Sequence, residues 1–563
     1  MSIRGGAARL RAALAAGALL AWLASSAAAQ VEPDWARFYD GPSHGFDDAR
    51  TMTLDSNGNA CVVGSSDGIG TGKDIAVVKY DPAGNLLWAA RYDGADGLDD
   101  WAYAAVLDSR DVLYVAGETG TPGGGSDFTV VQFDPSGAAE WVYLYDGPAH
   151  GRDVAFDLAL EESGGVFATG SSEGVGTGED YVTIRLGPDG TAQWVKRFDG
   201  AGHATDQART LAFHGDRVYV SGGSVGEGTD FDFLTLVYDK SGRQLWTAVY
   251  DGPASAYDMV YYQGSLSVDA LGSVYVCGYS TGEDDTKDYA VIKYDATGAQ
   301  RWTRRLAGDG MGNDDFANRL CLDDSSNVYV TGALYREATD HDIATVKYNS
   351  AGEQQWIAVQ DGTAHGWDEG YDVLPGRAGE IYVLGRSPGT GGSTDFLILE
   401  YDSAGTPLWD ARFSRAAGAY SWPFELERGG TGELYAAGWS FGTTTGADFT
   451  LVKYTEPATA APDPSSPQAR ADPLTIQIRP NPFRLETSIL YRQTEPGAVR
   501  AVIYDVSGRA VRALVDGFGL AGEHRLTWDG TDRSGRPVPA GVYWCALQSA
   551  TGARGTEPVI LVR

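Results

Sequence analysis

Residues 48–88, DARTMTLDSNGNACVVGSSDGIGTGKDIAVVKYDPAGNLLW, decide the fold. Three runs, ARTMTLD, ACVVGS and DIAVVKYD, are rich in β-branched and apolar residues and are bounded by Gly, Asp, Asn and Pro. That composition and punctuation predict short strands. A fourth run opens at Trp88, in the same way as WARFYD at 35–40. DSNGN and DPAGN read as tight turns, in which the Asp accepts downstream N–H groups and the Gly supplies positive φ. SSDGIGTGKD and the YDGPSHGFDDA segment at 39–49 read as long loops instead. No helical period runs through this region.

The pattern recurs. Tryptophan falls at Trp35, Trp88, Trp141, Trp194, Trp246, Trp302, Trp356 and Trp409, at intervals of 53, 53, 53, 52, 56, 54 and 53 residues. A strand-ending glycine keeps the same beat at Gly64, Gly117, Gly170, Gly222, Gly278, Gly332, Gly385 and Gly438. So does a strand-opening aspartate at Asp74, Asp127, Asp180, Asp232, Asp288, Asp342, Asp395 and Asp448. Four strands in about 53 residues cannot cover both of their own faces, so copies must stack. Radial stacking leaves only short edges, whereas Ig-type modules need about seven strands in about 100 residues. The expectation is an all-β, eight-bladed propeller of four-stranded blades. If ARTMTLD is innermost, the Trp strand is outermost. The chain then begins with a lone outer strand at Trp35 and ends with three strands around Glu425–Tyr454, which together close one blade. The long loops emerge on one face and the tight turns on the other.

The segments YDPAGNLLW, LDSNGNACVVGSS and DIAVVKYD resemble the β-propeller repeats of secreted bacterial proteins, over Trp35–Tyr454. YDPAGNLLW, YDKSGRQLW and YDATGAQRW also resemble the tryptophan docking motif of eight-bladed quinoprotein dehydrogenases. That resemblance implies a Trp packed between adjacent blades. The dehydrogenases' adjacent Cys pair has no counterpart here.

Outside the repeat, residues 1–29 read as a signal peptide. Arg4, Arg9 and Arg11 precede an apolar Ala12–Leu23 stretch, and Ala27-Ala28-Ala29 offers a cleavage site before Gln30. No later run reaches the roughly 18 apolar residues of a transmembrane helix. The chain is therefore expected to be secreted or attached to the outer cell surface. Its net charge is -33, which excludes ordinary nucleic-acid binding, since that needs Lys and Arg against phosphates. Residues 455–473, TEPATAAPDPSSPQARADP, read as a linker behind the propeller of 30–454. Beyond it, 474–563 carry 11 Arg and no Lys, and the period of 53 ends. Cys61, Cys277, Cys321 and Cys545 have no metal or redox spacing and read as isolated buried thiols; a Cys277–Cys321 bridge is the one pairing between neighbouring repeats.

The last module alternates apolar and polar residues, as a small β-sandwich does. Pro480-Asn481-Pro482-Phe483, Ile503-Tyr504-Asp505 with Gly508-Arg509, Trp528-Asp529-Gly530 and Ala540-Gly541-Val542-Tyr543 resemble the FlgD-like Ig domain and the related C-terminal sorting domain of the type IX secretion system. The resemblance implies outer-membrane export. The end, EPVILVR, lacks the Lys-rich tail common in sorting domains.

Candidate chemistry is sparse. An H-x-x-D pattern recurs at His44/Asp47, His150/Asp153, His203/Asp206 and His365/Asp368, where it could contact a ligand or cation. The Asp persists without His at Asp100, Asp258 and Asp315, which favours a role in the blade itself. No nucleophile elbow, HExxH or phosphate-binding loop occurs, so no catalytic residue is expected. The reading is a non-catalytic, monomeric binding or scaffold propeller for a glycan, peptide or protein. It needs no cofactor, although its acidic loops could take calcium. The alternatives are a quinoprotein-like or polysaccharide-cleaving enzyme and a calcium-stabilised structural module.

Overall fold

The computed structural model describes residues 29–457 and 476–562, apart from 96, 162, 310–312, 377–378, 390, 431, 480, 482, 485, 494–496, 506–508, 520–521, 534–535 and 550–553. The signal peptide but for Ala29, most of the 455–473 linker, and Pro480, Pro482 and Gly508 of the C-terminal motifs lie outside the described residues. The chain forms two compact units, Met1–Glu456 and Pro457–Arg563.

The first unit is an eight-bladed propeller. Blade 1 runs Asp48–Leu54, Ala60–Asp67, Lys73–Tyr80 and Leu86–Tyr92, all antiparallel. The next six blades repeat it. The first strands pack side by side from blade to blade, and Ser421–Arg428 of blade 8 packs on Asp48–Leu54 of blade 1. First strands are therefore innermost, and the ring is closed. Its closing blade is built from both ends of the propeller. Ser421–Arg428, Glu433–Phe441 and Ala447–Thr455 supply three strands, and Trp35–Tyr39 adds the fourth, with Trp35 opposite Lys453 and Tyr39 opposite Phe449. One extra strand was not foreseen: Ala29–Gln30 pairs in parallel with Trp409–Asp410 on the outside of blade 7.

The tight turns are held by their own aspartates. Asp55 Oδ1 accepts the N–H groups of Asn57 and Asn59, both at 2.9 Å, while Gly58 takes φ 78°. Apolar residues of the middle strands fill the space between blades: Val62, Ala76 and Val78 pack with Tyr435 and Phe449, whereas Val63, Ile75 and Val77 pack with Val115 and Val131. All four cysteines are free.

The second unit is a β-sandwich. One sheet pairs Ile476–Arg479, Thr487–Gln493 and Gly522–Trp528; the other pairs Ala510–Gly519, Gly497–Asp505, Gly541–Ser549 and Arg554–Leu561. Trp528 is wholly buried against Phe483 and Tyr543, and its Nε1–H donates to the Thr531 carbonyl at 2.9 Å.

Candidate ligand site at the propeller mouth

The H-x-x-D residues lie where the long loops enter the inner strands, but His and Asp of one motif do not hydrogen-bond each other. His44 Nδ1 sits 2.6 Å from Asp40 Oδ2, four residues back, and His150, His203 and His365 meet Asp146, Asp199 and Asp361 in the same way. Each of these His has φ near +50°, a left-handed position that His tolerates better than most side chains. The rings are exposed, and the carboxylate beside His44, His150 and His203 raises their pKa. The Asp of each motif is buried. Asp47, Asp153, Asp206 and Asp368 accept the N–H of Gly41, Gly147, Gly200 and Gly362 through Oδ2.

The strand-opening aspartates brace the same loops. Asp74, Asp180, Asp288 and Asp395 bind Arg91, Arg197, Arg305 and Arg412 of the outer strand in their own blade. Asp232, Asp342 and Asp448 accept from Thr229, Thr339 and Thr445, and Asp127 lies beside Asp146 and Asp153.

A different set of residues lines the mouth of the central channel. Seven inner strands shift register by one residue at the same point, leaving Arg50, Tyr103, Phe156, Arg209, Asn318, Tyr371 and Phe424 outside the ladder. Such a bulge re-aims its side chain. In blade 5 the inner strand breaks into Asp258–Met259 and Leu266–Val268, and Tyr261, Tyr262 and Gln263 lie in the break. The rings touch in sequence around the mouth. Tyr103 lies 5.3 Å from Phe156, Tyr262 lies 5.9 Å from Tyr371, and Tyr371 lies 5.9 Å from Phe424. Guanidinium groups join the circle: Arg209 stacks 4.3 Å over Phe156, and Arg50 stacks 5.0 Å over Phe424.

Beside this collar, on the loop face, is a cleft of about 570 Å³ lined by Arg50, Trp101, Tyr103, Glu118 and Arg152 among others. The Tyr103 hydroxyl donates to Glu118 Oε1 at 2.7 Å, and Arg152 holds the same oxygen at 2.7 Å. Burial, and then the Glu118 charge, push the Tyr103 pKa well above the usual tyrosine range. Arg209 makes no ion pair among the described residues. Its Nε is buried without a partner, and burial lowers its pKa.

Deeper, a cavity of about 290 Å³ lies between the inner strands. Gln263 crosses it to donate to the Phe156 carbonyl at 2.9 Å. Arg319 binds Asp372 at 2.9 Å and Glu425 at 3.0 Å. Asp157 and Asp372 each accept a backbone N–H from the next blade, Leu211 and Leu426, at 2.7 Å. These are ties across the ring.

Sequence reading missed the collar because it followed what repeats, and the collar occupies an equivalent position whose residue varies. One signal was present. The 56-residue interval between Trp246 and Trp302 marks the insertion that carries Tyr261–Gln263.

Among known proteins, residues 488–553 match the family described as FlgD Ig-like domain. The basal-body rod modification protein FlgD of Salmonella typhimurium is 44% identical over 61 residues, 11% of this chain; the chain spans 25% of that protein's length. Solved structures with a likeness include PorZ of Porphyromonas gingivalis (13% identity, 91% of this chain and 74% of that one, TM-score 0.26). A PL25 ulvan lyase (11%, 74% and 95%, TM-score 0.39) and a fungal AA5 alcohol oxidase (13%, 95% and 100%, TM-score 0.38) are others. Likenesses this weak say nothing of activity. The chain is an eight-bladed β-propeller that carries a FlgD Ig-like domain at its C-terminus.

Proposed function

We propose that this is a secreted or surface-displayed, non-catalytic binding propeller whose ligand is an acidic glycan seated at the loop-face mouth. The observation that carries this reading is the cleft of about 570 Å³, where Trp101 and Tyr103 lie beside Arg50 and Arg152. Aromatic side chains offer flat apolar faces to sugar rings, and Arg50 and Arg152, held by Asp48 and Glu118 through Nε and Nη2, keep their other N–H groups for a ligand carboxylate. Arg209, which stacks on Phe156 of the collar and makes no ion pair among the described residues, adds a further cation to the mouth. The C-terminal domain serves export or surface attachment, and the closed ring suits a monomer.

A glycan panel with neutral and uronate-bearing oligosaccharides, probed with the full chain, tests this. Binding of the uronate-bearing members, reduced tenfold or more by Trp101→Ala, supports it. Cleavage of any bound polysaccharide, or equal binding by Trp101→Ala, overturns it.

A further inference from the structure

The junctions between blades hold a second, repeated arrangement. At the blade 8–blade 1 junction, Asp448 opens a third strand, Asp40 lies in the long loop and Asp47 opens the next inner strand. One carboxylate oxygen from each falls within 4.8 Å of the others. Six such clusters occur among the described residues. Crowded acids alone mean little in so acidic a chain; the free oxygens mean more. Asp40 and Asp47 use Oδ2 for His44 and the Gly41 N–H, and Asp448 uses it for Thr445 and the Arg415 guanidinium. In all three the Oδ1 is buried and has no partner. Asp47 and Asp448 are 0% and 1% exposed.

The same state recurs between blades 3 and 4, where Asp180, Asp199 and Asp206 each keep a buried, unpartnered Oδ1. Between blades 6 and 7, Asp342, Asp361 and Asp368 do likewise. The loop His at all three junctions ties down Oδ2 of the loop Asp, whose Oδ1 stays buried without a partner. The blade 5–blade 6 junction is the internal contrast. Ala307 stands there in place of the loop Asp, and both oxygens of Asp315 are partnered, by the Gly308 and Tyr335 N–H groups.

We infer that these three junctions bind divalent cations, calcium by preference, each held by one oxygen from each of three aspartates. Calcium takes oxygen ligands at about 2.3–2.6 Å, so oxygens on opposite sides of the ion lie roughly 5 Å apart, and water fills the remaining positions. Arg415 beside Asp448 and Arg197 beside Asp180 each offset one of the three carboxylates at their junctions, and a divalent ion would offset the desolvation and mutual repulsion that remain. The remaining three clusters share the layout with fewer free oxygens; between blades 4 and 5, Asp258 Oδ1 already accepts the Thr281 N–H.

The test uses the full chain, stripped with chelator, dialysed against calcium chloride at constant ionic strength, and assayed for bound metal. Three to six calcium ions per chain are expected, together with a higher Tm in calcium than in matched sodium chloride. Asp199→Asn and, separately, Asp361→Asn should each remove one ion while keeping the β-sheet circular dichroism of the parent. Asp309→Asn, an exposed acid at the contrasting junction, should remove none. Less than one ion bound at millimolar calcium would overturn the inference. So would an unchanged stoichiometry in both folded loop variants.

Discussion

The Trp88 indole Nε1–H donates to the carbonyl of Pro135, 47 residues on, at 3.1 Å. Trp88 is in the outer strand of blade 1 and Pro135 in a tight turn of blade 2, so the bond fastens one blade to the next. Trp35, Trp141 and Trp356 repeat it with Pro82, Pro188 and Ser403. The ring lies against Gly137, at φ 89°, where an added Cβ would sit 2.7 Å from the indole. Gly137→Ala should therefore cost about 1–2 kcal/mol for the left-handed backbone alone, and more for the displaced ring. Thermal unfolding should show a lower Tm, and Gly123→Ala, also left-handed but with open space around it, should show the smaller fall.

The strand Trp35–Tyr39 closes blade 8 by joining sequence-distant ends of the propeller. A variant lacking residues 30–39 should leave Ala447–Thr455 as an unpaired edge, and such edges recruit other chains. Faster hydrogen exchange across 447–455, and association visible by light scattering, are the expected outcomes. Unchanged exchange there would mean that the ring does not depend on its clasp.

Much of this was legible in the chain, and the reason is physical. Trp, Gly and Asp markers repeat because each blade solves the same packing and turn problem, so the strand order and even the clasp followed from their phase. The collar was not legible. Arg50, Tyr103, Phe156 and Arg209 share one structural position but no residue type, and a bulge, invisible to a period-2 pattern, turns them into the mouth. The H-x-x-D spacing misled in a milder way: backbone geometry at His44 pairs it with Asp40 behind it, not Asp47 ahead.

Arg319 supports two carboxylates, Asp372 and Glu425, inside the channel. Arg319→Met leaves both without their cation, and losing one side of a buried ion pair costs about 3–5 kcal/mol. Chemical denaturation should report that loss. A smaller loss would mean that Glu425 takes up a proton once its cation is gone, as its pKa, raised by burial to about 8, allows.

Glu427 gives the propeller a pH dependence of definite sign. It keeps some surface open to the channel but has protein on most sides. Burial first, and then the charge of Asp372, raise its pKa to about 7, against the pull of Arg319. The unfolded chain releases this proton at an ordinary glutamate value, about 4.3. Between that value and about 7 the folded state holds a proton the unfolded state has given up, so this group's effect is to lower stability as pH rises through the window. Glu427→Gln removes the group that must ionise. Its Tm should match the parent near pH 4 and exceed it at pH 8, and a Tm difference independent of pH would show that Glu427 ionises in the folded protein as freely as in the unfolded one.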